Sequence, residues 1–169
     1  TLRVEALRID FPGENLVEFS AEKSGVDLSS AGAMQMSGTS FAVTKVDLHV
    51  RTHGLFEWYV LMALGPTILP SEGDIDAAVG RLKSAIAATV AELPEATFST
   101  GSKAAQVALI AELPNPSGDL TVALRSEAGL GPTRLSGYAM TGVPATVAAA
   151  APIFEGVKID IGWTHAETP

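Results

Sequence analysis

Hydrophobic and polar positions alternate in the first and last parts of this chain and recur at intervals of three and four in its middle. Leu7, Ile9 and Phe11 alternate with Arg8 and Asp10, the period-two signature of a half-buried strand. Pro12-Gly13-Glu14-Asn15 reads as a turn, with Pro fixing φ and Gly tolerating φ > 0. A second strand follows over residues 16–21. Ser24-Gly25 is a candidate turn, and Val26-Asp27-Leu28 is read as continuing the pairing. Ala33-Met34-Gln35-Met36 is predicted as a short strand closed by Ser37-Gly38-Thr39. Residues 41–52 (FAVTKVDLHVRT) give the clearest strand. There Phe41, Val43 and Lys45 share one parity and Val46, Leu48 and Val50 the other, so the strand is either bulged or covered on both faces. The short turns predict an antiparallel meander, because parallel neighbours need long crossovers.

The period then changes. Residues 55–70 (LFEWYVLMALGPTILP) form the most apolar run, with Glu57 its only charge. They read as a helix to Leu64 that Gly65-Pro66 ends. The run is shorter than the roughly 20 residues a membrane-crossing helix needs, so no transmembrane segment is predicted. Ser71 is the expected N-cap of the next helix, with Glu72 and Asp74 in the first turn favouring its positive end. Ile75, Val79, Leu82, Ile86, Val90 and Leu93 make one stripe of that long amphipathic helix, which stops at Pro94. Ser99 or Ser102 caps a further helix, with Ala104, Val107, Ala108, Ala111 and Leu113 inward, and the Pro114-Asn115-Pro116-Ser117-Gly118 run breaks it.

Strands return at residues 119–127, where Leu120, Val122 and Leu124 alternate, and a further strand is predicted at 133–140. Thr141 and Pro144 open a short Ala-rich helix interrupted at Pro152, Pro being well tolerated where its missing N–H has no partner. Gly156 precedes a last strand, VKIDIGW, and a frayed tail. The whole predicts one α+β domain over residues 1–169. It has an antiparallel, curved sheet from the N- and C-terminal segments and three or four helices packed on one face. One internal echo is present: Lys45 to His53 resembles Lys158 to His165. Asp47-Leu48 followed by Gly54-Leu55 likewise resembles Asp119-Leu120 followed by Gly129-Leu130. Either a strand, Gly-Leu turn and helix unit is repeated, or strands of similar composition look alike.

Composition narrows the functional classes. A 169-residue chain can bury roughly 70% of its unfolded surface, so its core needs no staple. Apolar residues make up 47% and charged residues 18%, which argues against disorder. A net charge of −8 and a pI near 4.8 disfavour nucleic acid and anionic headgroups as partners. The absence of cysteine excludes disulfides and thiolate chemistry and suits an oxidising compartment. The chain opens on a strand rather than a signal peptide, as expected of a mature form or a piece of a longer envelope protein.

Motifs that carry chemistry are weak. His49 and His53, four apart on a strand, share a face but lie about 13 Å apart, too far for one metal. Ser20 and Lys23 match the S-x-x-K spacing of serine acyl-transfer enzymes. That chemistry needs the Ser at a helix start, however, and this segment reads as strand. No nucleophile elbow, phosphate loop or calcium loop is present, and Gly129, Gly131 and Gly137 fit no dinucleotide fingerprint. No metal, cofactor or catalytic residue is assigned. A carboxylate pair for hydrolysis stays open, because such pairs form only in the fold.

The candidate site is apolar. Phe56, Trp58, Tyr59 and Met62, with Met34, Met36 and Met140, would line a groove for an acyl chain or other apolar ligand, Met and aromatics suiting adaptable binding. The competing reading makes Phe56, Trp58, Tyr59, Leu61, Met62 and Leu64 core, clamped between sheet and long helix.

Two stretches of the form Asp-Leu, then Gly-Leu (residues 47–64 and 119–130), with SSAGAMQMSGTSF at 29–41, resemble AsmA-like and related repeat-β proteins of the bacterial envelope. That resemblance implies periplasmic exposure and roles in lipid transport or outer-membrane assembly. The chain departs from those families in lacking an N-terminal anchor and in its large helical middle, so no family residues are carried over. Three functions follow as expectations. The first is a non-enzymatic periplasmic or envelope module that binds an apolar ligand or lipid, or supports envelope assembly with an envelope protein partner. The second is an interaction domain with no small ligand, and the third a hydrolase without a readable motif.

Overall fold

The structure, a computed structural model, describes residues 2–27, 29–55, 74–132, 134, 136, 142 and 146–166. Its frame is a five-stranded, wholly antiparallel sheet in which sequence order and spatial order coincide: β1 (Leu2–Phe11), β2 (Asn15–Ser24), β3 (Ala42–His53), β4 (Ser117–Leu130) and β5 (Val157–His165). The helices are α1 (Ala31–Ser40) between β2 and β3, then α2 (Ile75–Glu92) and α3 (Thr100–Glu112) between β3 and β4. A short α4 (Val147–Ala150), running into a 3₁₀ turn (Ala151–Phe154), precedes β5. The α+β architecture, with its sheet built from both ends of the chain, is thus as the pattern predicts.

The meander survives a long helical insertion because β3 and β4 meet at the ends where the chain leaves and returns, His53 lying opposite Ser117. Asn15 ties the first hairpin to that same end. Its side chain donates to the carbonyls of Pro12 (2.6 Å) and His53 (3.2 Å) and accepts from the His53 N–H. The parity switch in β3 is a bulge: Glu22 faces Lys45 and Lys23 faces Val43, so Thr44 is the extra residue. A second bulge in β1 sets Glu5 and Ala6 against Ser20 alone, since Val4 faces Ala21 and Leu7 faces Phe19. Both bulges restore the phase of the apolar positions. One face therefore carries Leu2, Val4, Leu7, Ile9, Val17, Phe19, Val46, Leu48, Val50, Leu120, Val122, Leu124, Ile159, Ile161 and Trp163, and the other is polar. The echoed segments of β3 and β5 occupy the same rows either side of β4, with Lys45 and Lys158 both facing Arg125 and Asp47 and Asp160 both facing Ala123.

Helix boundaries follow their caps. Asp74, not Ser71, caps α2, its carboxylate accepting from the Ala77 N–H, and Leu93-Pro94 ends it. Ser99 caps α3. The two helices exchange lysines across their contact: Lys83 Nζ donates to the Ala111 carbonyl and Lys103 Nζ to the Ala91 carbonyl. Each places positive charge on the other helix's last turn. The stretch 33–36, expected as a strand, lies in α1. Ser30 caps it by accepting from the Ala33 N–H, and Ala33, Met34, Gln35 and Met36 are good helix formers with no β-branched residue among them. Val26 and Asp27 do not extend the pairing; Asp27 instead donates its N–H to Ser37 Oγ in α1. Of the strand expected at 133–140 only Arg134 and Ser136 are described, and both are helical. The apolar run 55–70 lies outside the described residues beyond Leu55.

The described core sits where α3 and the segment before it meet β5. Phe98, Val157 and Ile159 are buried together, with Leu93, Val122, Leu124, Leu130, Phe154 and Ile161 packed around them. The same segment closes the β5 edge of the sheet. Thr97 O accepts from the Ile159 N–H at 2.8 Å, and buried Ser102 Oγ accepts from the Ile161 N–H at 3.0 Å. Backbone donors that a sixth strand would otherwise take are satisfied there. The opposite edge, β1, has no such cover among the described residues, and residues 2–10 are all exposed.

Candidate functional site

Two surfaces of the sheet have site-like geometry. The first is a cavity of about 320 Å³ between the apolar face and α3. Val50, Leu120 and Trp163, one row across β3, β4 and β5, form its floor. Leu109, Ile110 and Leu113 at the end of α3 form its roof, and Thr52, Leu55 and Pro116 close its end. The volume is at the lower end of the roughly 300–1,000 Å³ typical of small-molecule pockets. Apolar side chains dominate the wall, so a ligand would be held by exclusion from water rather than by polar contacts.

Trp163 is fixed in this wall by its polar tip. Its indole N–H donates to Glu112 Oε1 at 2.8 Å, while His165 Nδ1 lies 3.0 Å from Glu112 Oε2. Burial raises the Glu112 carboxyl, but these two hydrogen bonds, together with the attraction of His165 and a bond from the Ser117 backbone, outweigh it and hold the group below its ordinary range. An aromatic ring with its N–H satisfied at the rim and its body in the cavity presents a rigid apolar plate to whatever enters.

The second surface is the polar face, where charges of alternating sign interlock. Arg3 bonds Glu22 at 2.6 Å, Lys45 reaches Asp47 at 3.3 Å, and Arg125 Nη2 bonds Asp47 Oδ1. His49 stands between two carboxylates, Nδ1 3.4 Å from Glu18 and Nε2 2.6 Å from Asp119, and Arg51 also donates to Asp119. A shallow depression of about 410 Å³ over Glu5, Glu18, Ser20, Asp47, His49 and Thr121 opens onto solvent. A histidine held by two acids suits proton handling, but this one lies on an open sheet face where water competes for every bond. Among the described residues no cluster of three or more His, Asp or Glu could hold a metal. Ser20 and Lys23 lie on β2 with opposite parity, on opposite faces of the sheet.

These carboxylates make the fold acid-sensitive. Burial raises Asp47 and Asp119, but bonds from Arg125 and Lys45 to the first, and from His49 and Arg51 to the second, bring both below the ordinary carboxylate range. Arg8 lowers Asp10 in the same way. A depressed folded-state pKa gives stability that is present above the unfolded value and lost as pH falls through the folded one. The urea midpoint should therefore hold steady from neutral pH to about 5 and decline below about 4. A midpoint unchanged down to pH 3 would show that these bonds add nothing to folding.

Of the residues singled out from sequence, Met34 and Met36 lie on α1, 55% and 70% exposed, and neither lines the apolar cavity. Phe56, Trp58, Tyr59, Met62 and Met140 lie outside the described residues. Sequence reasoning passed over Trp163, although it shares parity with Ile159 and Ile161 and so belongs to the apolar row of β5. It also passed over Leu109 and gave Leu113 only as an inward helix position, because their partners across the cavity are remote in sequence. No helix among the described residues is long and apolar enough to cross a membrane. No family model matches the chain, and no curated protein or solved structure does either.

Proposed function

We propose that this chain is a non-enzymatic module of the bacterial periplasm or cell envelope that binds an apolar ligand, of which the acyl chain of a lipid is the best fit. The observation that carries the reading is the cavity floored by Val50, Leu120 and Trp163 and roofed by Leu109, Ile110 and Leu113. A linear hydrocarbon asks for a wall that is apolar throughout and has few directional groups, and this wall has that character. The likeness of residues 47–64 and 119–130 to AsmA-like envelope proteins supports a lipid as the ligand and the periplasm as the compartment. The cysteine-free composition agrees with an oxidising environment.

The test is titration with a fluorescent fatty acid, together with native mass spectrometry of gently purified protein. Saturable binding is expected, with co-purified lipid in the mass spectrum. Leu109→Glu, which sets a carboxylate on the cavity wall, should weaken binding at least about tenfold, a loss of about 1.4 kcal/mol, while leaving the circular dichroism spectrum intact. A ligand-free protein that fails to bind the probe would sink the reading, as would binding that Leu109→Glu leaves unchanged.

A further inference from the structure

The uncovered β1 edge carries a sequence that is complementary to itself. We infer that β1 pairs antiparallel with β1 of a second copy, joining two five-stranded sheets into one continuous ten-stranded sheet about a two-fold axis at Leu7. The inference stands on the edge strand and does not depend on the cavity.

The argument starts from the bulge. Because Glu5 and Ala6 together face one residue of β2, they count as a single step of the strand. With that step counted once, Leu2, Val4, Leu7, Ile9 and Phe11 lie on the apolar face, and Arg3, Glu5, Arg8 and Asp10 on the polar face. Folding the strand back on a copy of itself about Leu7 sets Leu2 opposite Phe11, Arg3 opposite Asp10, Val4 opposite Ile9, the Glu5-Ala6 step opposite Arg8, and Leu7 opposite Leu7. Every apolar side chain then meets an apolar one and every charge meets its opposite, on the correct face in each case.

The register is specified as well as permitted. Sliding by one step sets apolar side chains against charged ones on opposite faces. A two-step slide one way places Arg3 against Arg8 and Glu5 against Glu5. The other way places Glu5 against Asp10 and Arg8 against Arg8. Four-step slides again pair opposite charges, Arg3 with Glu5 or Arg8 with Asp10, but they leave nearly half of the strand unpaired, so the register centred on Leu7 alone combines full pairing with no like charges.

The fold leaves this edge open. At β5 the outer backbone groups are taken by Thr97 and Ser102, whereas β1, ten residues long with no proline and no lysine, has no comparable cover among the described residues. Its apolar row is also exposed: Leu2 41%, Val4 41%, Leu7 52% and Ile9 43%. Free chains hold Arg3 on Glu22 and Arg8 on Asp10 and Glu18, bonds between exposed groups that can be shared with or exchanged for a second copy's charges.

The experiment uses charge exchange between chains. Wild-type protein should sediment in a concentration-dependent equilibrium toward twice the 17.4 kDa monomer mass. Arg3→Asp alone sets Asp against Asp10, and Asp10→Arg alone sets Arg against Arg3. Each should be folded by circular dichroism and shift the dissociation constant at least tenfold toward monomer. Mixing the two single variants pairs Asp at position 3 with Arg at position 10 on both sides of the axis, so the mixture should dimerise like wild type. Because the chain has no cysteine, Leu7→Cys should oxidise to a covalent dimer across the axis, and Ile9→Cys, which faces Val4, should not. Wild type that stays monomeric at all concentrations overturns the inference. So does association that both single variants retain, or a mixture of variants that stays monomeric.

Discussion

Truncation of Phe98 to alanine should lower the unfolding free energy by about 3–5 kcal/mol, the range for a buried aromatic removed from a core. Phe98 is 7% exposed and sits between the C-terminal end of α2 and the N-terminus of α3, where the chain forms a parallel bridge to Ile159. Its ring meets Phe154 edge-on with centroids 6.1 Å apart and packs on Val157, the most deeply buried large side chain among the described residues. The segment between α2 and α3 and the remote stretch from Phe154 to Ile159 thus share one side chain, and neither can close the hole without losing its other contacts. Phe98→Leu should recover most of the loss, because volume rather than aromaticity dominates the site. Urea unfolding of the three proteins at equal m-value decides it, and a Phe98→Ala loss below about 1 kcal/mol would mean that the core lies elsewhere.

The second large effect comes from the backbone. Gly118→Ala should cost about 2–4 kcal/mol, the sum of a left-handed φ imposed on an L-residue and a steric conflict that cannot relax cheaply. Gly118 has φ 155° and lies in β4 between Thr52 and His165. A Cβ there would run into the Thr164 carbonyl oxygen, so β4 and β5 could no longer close at the end where Trp163, held by Glu112, lines the cavity. Gly80→Ala is the internal contrast. Nothing lies within 4 Å of its Cβ position in α2, so that substitution should stabilise by about 0.5–1 kcal/mol. If Gly118→Ala and Gly80→Ala shift the denaturation midpoint by similar amounts in the same direction, the conflict at Thr164 is absent in solution.

How much of this was legible differs by element, for identifiable reasons. The strands were readable because one face is apolar and the other charged, which imposes period two on Leu7 to Phe11 and Leu120 to Leu124. The parity slips in β3 pointed to a bulge, and the pairing of Lys23 with Val43 resolved it. Ser99 and Ser102 announced α3, the structure choosing Ser99 as cap, and Pro94 and Pro114 its surroundings, because caps and prolines act locally. The stretch 31–40 misled because Met34 and Met36 flank a polar Gln35 and imitate strand alternation. The cap at Ser30 and the helix propensity of Ala33, Met34, Gln35 and Met36 decide for helix. For α2 the expected cap was Ser71 with Asp74 inside the first turn, whereas Asp74 is itself the cap, because Asp caps as well as Ser and local sequence does not rank the two.

The amino-acid sequence by itself determined the α+β class, the antiparallel meander, the acidic surface and the chemistry it forgoes, since these rest on periodicity, turn residues and composition. It also held the self-complementary order of charges in β1, but that order means nothing until the strand is known to be an edge and the bulge is known to keep its faces in phase. The cavity was decided by tertiary structure alone. Val50, Ile110, Leu120 and Trp163 are remote along the chain and converge only when β3, β4 and β5 align in one row beneath α3, a coincidence of register that no local pattern encodes.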